Sequence, residues 1–186
     1  TWKLPYSVLF PTLALNTVGL TVEETAKAMD LARSVGITHV DFHPGAERDG
    51  VALYLKEYPR QGLFLTTKIR KPKPGTSPAD AAQLCQDQIR DDLVALNLES
   101  VDMLMLRDSP DCAVMQAQYK VLEDALAAGQ CRSIGIINYC RSSLECLLET
   151  AKIKPAVHYF LLHPGMTPDP LGLRSFGESR GIRTFA

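Results

Sequence analysis

The chain is 186 residues long, 46% apolar and 22% charged, with a formal net charge of −1, which is the balance of an ordinary globular domain. That near-neutrality gives no electrostatic case for nucleic acid or an anionic membrane surface, and no apolar run reaches the ~18 residues that span a bilayer. The length suits one domain over residues 1–186, or part of one.

Apolar strands and amphipathic helices alternate along the whole chain. Val8 to Thr17 breaks at Pro11 and is expected to form an opening hairpin followed by the first barrel strand. Thr21-Val-Glu-Glu24 has the spacing of a capping box, with a hydroxyl for an early helical N–H and a carboxylate reaching back. The helix it starts runs to about Val35, with Ala28, Leu31, Ala32 and Val35 expected on the buried face and Gly36 as its stop. The second strand, Ile37 to Asp41, ends on a carboxylate beside a turn containing Pro44 and Gly45. A helix is expected over Gly50 to Tyr58, and a third strand over Leu63 to Lys68. Lys71-Pro-Lys-Pro-Gly75 reads as a solvated loop. Ser77 as N-cap and Pro78 at the first helical position open a third helix, whose stripe is Cys85, Ile89, Leu93 and Leu96.

The fourth strand is Val101 to Leu106, with Met103 and Met105 as core, and it ends on Arg107-Asp108. A helix over Cys112 to Ala128 leads to a fifth strand, Ser133 to Ile137, ending on Asn138. Ser142-Ser-Leu-Glu145 has the spacing of a second capping box. The sixth strand, Ala156 to Leu161, leads to His163-Pro164. A helix near Leu171 to Ser179 precedes a seventh strand from Ile182. The five cysteines are odd in number and include no Cys-x-x-Cys. They read as reduced thiols in a cytosol, plastid stroma or mitochondrial matrix, without a disulfide framework or zinc site. The chain starts at Thr1 with no basic or apolar leader, as a trimmed chain or one freed of a presequence would.

Strands that are nearly uniformly apolar and alternate with helices imply a parallel sheet covered by helices. Polar residues recur at the strand ends: Asp41, Lys68, Arg107, Asn138 and His163. In a (β/α)8 TIM barrel that end carries the chemistry. A doubly wound sheet is the runner-up, although no Gly-x-Gly-x-x-Gly follows the first strand. A carboxylate at the mouth of an apolar strand must be paired or used. No metal is expected, because Pro44 breaks the strand between Asp41 and His43, and His158 and His163 fall elsewhere. Tyr159 points into the barrel or packs in the core.

Pro11-Thr-Leu-Ala-Leu-Asn-Thr17, Gly36-Ile-Thr-His-Val-Asp41, Leu63-Phe-Leu-Thr-Thr-Lys68, Leu98 to Leu106, Ala128 to Asn138, Pro155 to Pro164 and Gly181 to Ala186 follow one another in an order that resembles the aldo-keto reductase family. The resemblance implies an α/β barrel, strands one to seven within this chain, and NADPH-dependent reduction of carbonyls. In that chemistry a tyrosine, tuned by a lysine–aspartate pair, protonates the oxygen while a histidine orients the carbonyl. Asp41 and Lys68 match the pair. Ala46 stands at the tyrosine's position and Arg107 at the histidine's. Asn138 matches a nicotinamide-binding asparagine, Ile137 replaces the serine usually before it, and Tyr159 lies where a glutamine would complete the amide contact. The stacking tyrosine, the last strand and most of the adenosine-phosphate site would lie beyond Ala186.

Those replacements imply a catalytically degenerate barrel acting as a binding, regulatory or structural subunit, with a protein partner over the open barrel edge. The alternative is an active NADPH-dependent reductase of aldehydes or ketones with a rewired proton donor, for which His43 is a candidate. Arg107 is expected to pair with Asp41 or Asp108, or to hold an anion.

Overall fold

The alternation of strands and helices yields, in a computed structural model of the chain, a curled parallel sheet with helices on its outer face. Residues 1–163 and 165–186 are described; Pro164, expected after the sixth barrel strand, lies outside them. Two short antiparallel strands come first, β1 (Trp2–Lys3) and β2 (Leu9–Phe10), paired Trp2 to Phe10 and Lys3 to Leu9. Then come β3 (Ala14–Asn16), β4 (His39–Phe42), β5 (Phe64–Ile69), β6 (Val101–Arg107), β7 (Cys131–Ile137), β8 (Val157–Tyr159) and β9 (Arg183–Phe185). The helices are α1 (Val22–Ser34), α2 (Ala46–Glu57), α3 (Pro78–Leu96), α4 (Cys112–Ala127), α5 (Arg141–Thr150) and α6 (Leu173–Glu178).

Strands β3 to β9 lie side by side in sequence order, every adjacent pair parallel. A doubly wound sheet reverses its order at a switch point; this one never does, which selects the barrel arrangement. Laterally paired residues share a face of the sheet. The pairings Arg107 to Ile137, Ile137 to Tyr159 and Tyr159 to Phe185 therefore place these four side chains on one face. Asp41 and Lys68 share that inner face, because Asp41 pairs with Thr66, two residues before Lys68.

The outer face carries Val40, Phe42, Leu65, Leu104, Leu106 and Ile136, packed against Met29, Val51, Ile89 and Leu122 of the helices. The inner face has its own apolar filling. Leu4, Val8 and Phe10 of the opening hairpin plug the bottom of the barrel against Phe64, Met103, Met105 and Val157. Curvature is visible in the rings. Phe185 of β9 lies 5.1 Å from Phe10 and 5.8 Å from His39 of β4, across the interior.

Several local expectations change. The α1 capping box forms as expected, Thr21 accepting from the Glu24 N–H and Glu24 accepting from the Thr21 N–H. The buried face of α1, however, is Thr25, Met29 and Ala32, while Leu31 and Val35 are 60% and 72% exposed. The helix turns its polar Thr25 inward because Gly50 of α2 packs directly on it: a Cβ at Gly50 would lie 2.5 Å from the Thr25 Cβ. Helix α2 begins at Ala46 rather than Gly50, so the turn is one residue of positive φ, Gly45, immediately before the helix.

At α5 the expected box does not form. Cys140 is the N-cap, the Ser142 and Ser143 hydroxyls sit 3.1 and 3.0 Å from its Sγ, and Glu145 pairs with Arg141. The α3 stripe of Cys85, Ile89, Leu93 and Leu96 is buried as expected. Helix α6 is shorter than its pattern, because a 3-10 turn occupies Pro170–Gly172. The cysteines are not all free thiols: Cys112 at the start of α4 and Cys146 in α5 are disulfide-bonded, with Cα atoms 6.1 Å apart. Cysteine count and spacing cannot show that successive helices on the outer layer bring residues 34 apart together.

Candidate functional site at the barrel mouth

Three parallel strands end on the groups that dominate the mouth. Asp41 is the third residue of β4, Lys68 the fifth of β5 and Arg107 the last of β6. A parallel strand covered by helices is apolar along most of its length, so charge sits near strand ends, at the mouth here and at the start of β6, where buried Asp102 is paired with Arg60 and Arg132. Lys68 Nζ donates to Asp41 Oδ1 at 2.5 Å, and the two side chains are 1% and 4% exposed. Burial lowers the Lys68 pKa, opposed by the Asp41 carboxylate. The ammonium also lies 5.9 Å from the centre of the Tyr159 ring.

Around this pair opens a cavity of about 250 Å³, bordered by Asn16, His43, Lys68, Arg107, Asn138 and Tyr159, with Val18, Ile137, Leu161 and Leu162 as its apolar part. Asn138 follows β7 in a left-handed conformation (φ 59°), exposed, its N–H donating to the Tyr159 carbonyl at 2.8 Å. Tyr159 points inward, as one of the two sequence readings has it, and its hydroxyl accepts from Asn16 Nδ2 at 3.4 Å. Ala46 is exposed in the first turn of α2, and a methyl group offers the mouth neither a proton nor a hydrogen bond.

Glu47 is a functional-site residue that sequence reasoning missed. Its carboxylate accepts from the Thr17 hydroxyl (3.0 Å), the Gly19 N–H (3.0 Å) and the His43 N–H (2.9 Å), and contacts His43 Nδ1 at 2.9 Å. One side chain thus clasps the loops after β3 and β4. The available signal was an acidic residue just after Pro-Gly, where a helix N-terminus favours negative charge. Burial is the main cause lowering the His43 pKa, helped by the Lys68 and Arg107 charges and opposed by Glu47.

Arg107 forms no ion pair with Asp41 or Asp108; among the described residues its guanidinium has no carboxylate partner. Asp108 Oδ1 is buried with no hydrogen-bond partner among the described residues, and its charge raises the pKa of Tyr139. The other candidate ligands do not converge on the mouth. His158 lies on the opposite face of β8, its ring centre 4.7 Å from that of Phe160, and His163 is exposed. Lys71 and Lys73 are exposed on the loop after β5.

A sequence profile of the aldo/keto reductase family matches residues 12–186. An aldo-keto reductase of Mycobacterium tuberculosis is 28% identical over 165 residues, covering 87% of this chain and 56% of that protein. The 2,5-diketo-D-gluconic acid reductase B of a Corynebacterium species is 29% identical over 174 residues, covering 91% of this chain and 60% of that protein. The chain therefore spans a little over half the length of these relatives. In fold it is similar to an aldo/keto reductase from Brucella melitensis, with a TM-score of 0.86 at 22% identity over 98% of this chain and 70% of that one. It is similar also to a Bombyx mori aldo-keto reductase solved in complex with NADP, with a TM-score of 0.83 at 23% identity over 100% of this chain and 64% of that one. Given the profile match over nearly its whole length and the shared barrel, the chain belongs to the aldo/keto reductase family.

Proposed function

We propose that this chain is a reductase-family barrel that binds a ligand at its mouth without carrying out carbonyl reduction, as a binding, regulatory or structural component of a larger assembly. The observation that carries this reading is Ala46 in the first turn of α2, with the permanently charged Arg107 on the neighbouring wall. Carbonyl reduction needs a proton delivered to the oxygen as hydride reaches the carbon. A missing general acid typically lowers such a rate by about 10²–10⁴. Alanine has no proton, and a guanidinium holds its protons at any working pH.

The mouth suits the nicotinamide end of NADPH in part. The exposed Asn138 and the inward Tyr159 border one cavity and are the groups that would touch a carboxamide there. Bound NADPH would supply the hydride; Asp41 would hold the Lys68 ammonium, and Arg107 would place a fixed positive charge beside the carbonyl. A protein partner at the sheet edge belongs to the same reading.

One observation favours the second reading, an active reductase with a substitute acid: His43 borders the same cavity as Lys68 and is oriented by Glu47. The two readings are separated by titrating NADPH into the full protein and mixing the complex with a reactive aldehyde in a single turnover. The expected result is no NADPH oxidation on the seconds scale. Seconds-scale oxidation that His43→Asn abolishes would establish the second reading instead. If NADPH binds, Ala46→Tyr combined with Arg107→His is expected to raise the rate by about 10² or more.

A further inference from the structure

We infer that Arg107 makes the barrel mouth a receptor for a small carboxylate carrying an apolar body. The assignment deepens the ligand-binding reading above by naming the class of ligand. Two separate features of one cavity point to it.

The first is unspent hydrogen-bonding capacity. Lys68 is engaged by Asp41, and the Glu47 carboxylate is met by two backbone N–H groups, a hydroxyl and His43. Arg107 faces the same space and has no carboxylate partner among the described residues; Asp108, its neighbour in sequence, forms no ion pair with it. A guanidinium offers five donors in a planar fork matched to the two oxygens of a carboxylate. Asn138 borders the cavity beside it and can add a neutral amide donor.

The second feature is an apolar rim. Val18 and Leu161 border this cavity and are 66% and 73% exposed, with Ile137 and Leu162 lining it nearby. An inorganic anion would satisfy Arg107 and leave that rim in water. A neutral apolar compound would cover the rim and leave the guanidinium unmatched. A monocarboxylate with a branched or aromatic body meets both, and a cavity of about 250 Å³ accommodates a group of that size.

The test is isothermal titration of the full protein with 4-methylpentanoate, with its uncharged isostere 4-methylpentanamide, and with inorganic phosphate. The carboxylate is expected to bind with a dissociation constant of about 1 mM or below, and the amide at least about tenfold more weakly. Phosphate is expected to bind more weakly than the carboxylate. Arg107→Met should lose the preference for carboxylate over amide, whereas Arg107→Lys, which keeps the charge without the planar fork, should retain part of it. Equal binding of carboxylate and amide, tighter binding of phosphate, undiminished carboxylate binding by Arg107→Met, or no carboxylate binding by the folded protein would each overturn the assignment. Should Arg107→Met not fold, the carboxylate and amide titrations of the unaltered protein decide the matter. No nucleotide or aldehyde is present in these titrations. A failure here leaves the absence of proton transfer standing, and a positive single-turnover result leaves the carboxylate site standing.

Discussion

His158 is 1% exposed, neither ring nitrogen makes a hydrogen bond of good geometry among the described residues, and burial, opposed by a weaker approach of the Tyr139 backbone, depresses its pKa to about 4 from the ordinary 6.5. A group whose folded pKa lies below its unfolded value stabilises the fold above the unfolded pKa and loses that contribution as pH falls toward the folded one. The window here runs from about 6.5 down to about 4 and is worth roughly 3 kcal/mol. Burial shifts His39 and His43 in the same direction, so the chain should unfold at lower urea concentration at pH 5 than at pH 7. His158→Leu should flatten that dependence while preserving stability at pH 7, since it removes two unsatisfied buried polar atoms. An equally steep urea-midpoint profile in the variant would sink the assignment. Residues of this kind divide sharply in legibility. Asp41 and Lys68 were readable because each closes an apolar strand with a charge. Glu47 was not, because its role depends on Thr17 and Gly19, about 30 positions away in sequence and beside it in space.

At the scale of elements, local signals were reliable where the chemistry is local. The Thr21 box and the Ser77-Pro78 start occur where their side chains place them, because an N-cap needs only residues within one turn. Ser142 misled because Arg141 already lies within α5, and the hydroxyl one turn position too late turned to Cys140 Sγ. The α1 face misled because a wide apolar stripe does not say which of its edges the neighbouring helix will meet, and Gly50 decided that. The Cys112–Cys146 link is the element-scale feature with the largest expected effect. It closes a loop with a sequence separation of 34, for which chain entropy predicts a contribution of about 3–4 kcal/mol. Cys112→Ser combined with Cys146→Ser should lower guanidinium-unfolding stability by about that amount, and a reductant should do the same to the unaltered chain and nothing to the double variant. A reductant effect of equal size in the double variant would refute the link. Because α4 follows the Arg107 loop and α5 follows the Asn138 loop, the bond ties together the two helices behind one wall of the mouth.

At the scale of the molecule, the curled sheet depends on a plug that lies outside it. Phe10 of the opening hairpin meets His39, Phe64 and Phe185 edge-on at 5.0, 5.3 and 5.1 Å, which joins β4, β5 and β9 through one ring. Phe10→Ala should therefore lower stability by about 3–5 kcal/mol, measured by chemical denaturation. A loss below about 1 kcal/mol would mean the barrel holds its curvature without the plug. The sequence by itself carried the resemblance to the family, the barrel order of the parallel strands, the starts of α1 and α3 and the Asp41–Lys68 pair. All of these are written in short-range patterns of apolar runs, caps and strand-end charges. Only the tertiary structure decided which face of α1 is buried, that Cys112 meets Cys146, that Glu47 clasps two loops, and that Arg107 faces the mouth with no carboxylate partner among the described residues. Each of these depends on side chains from different strands and helices meeting around a closed curve, and no window of neighbouring residues encodes such a meeting.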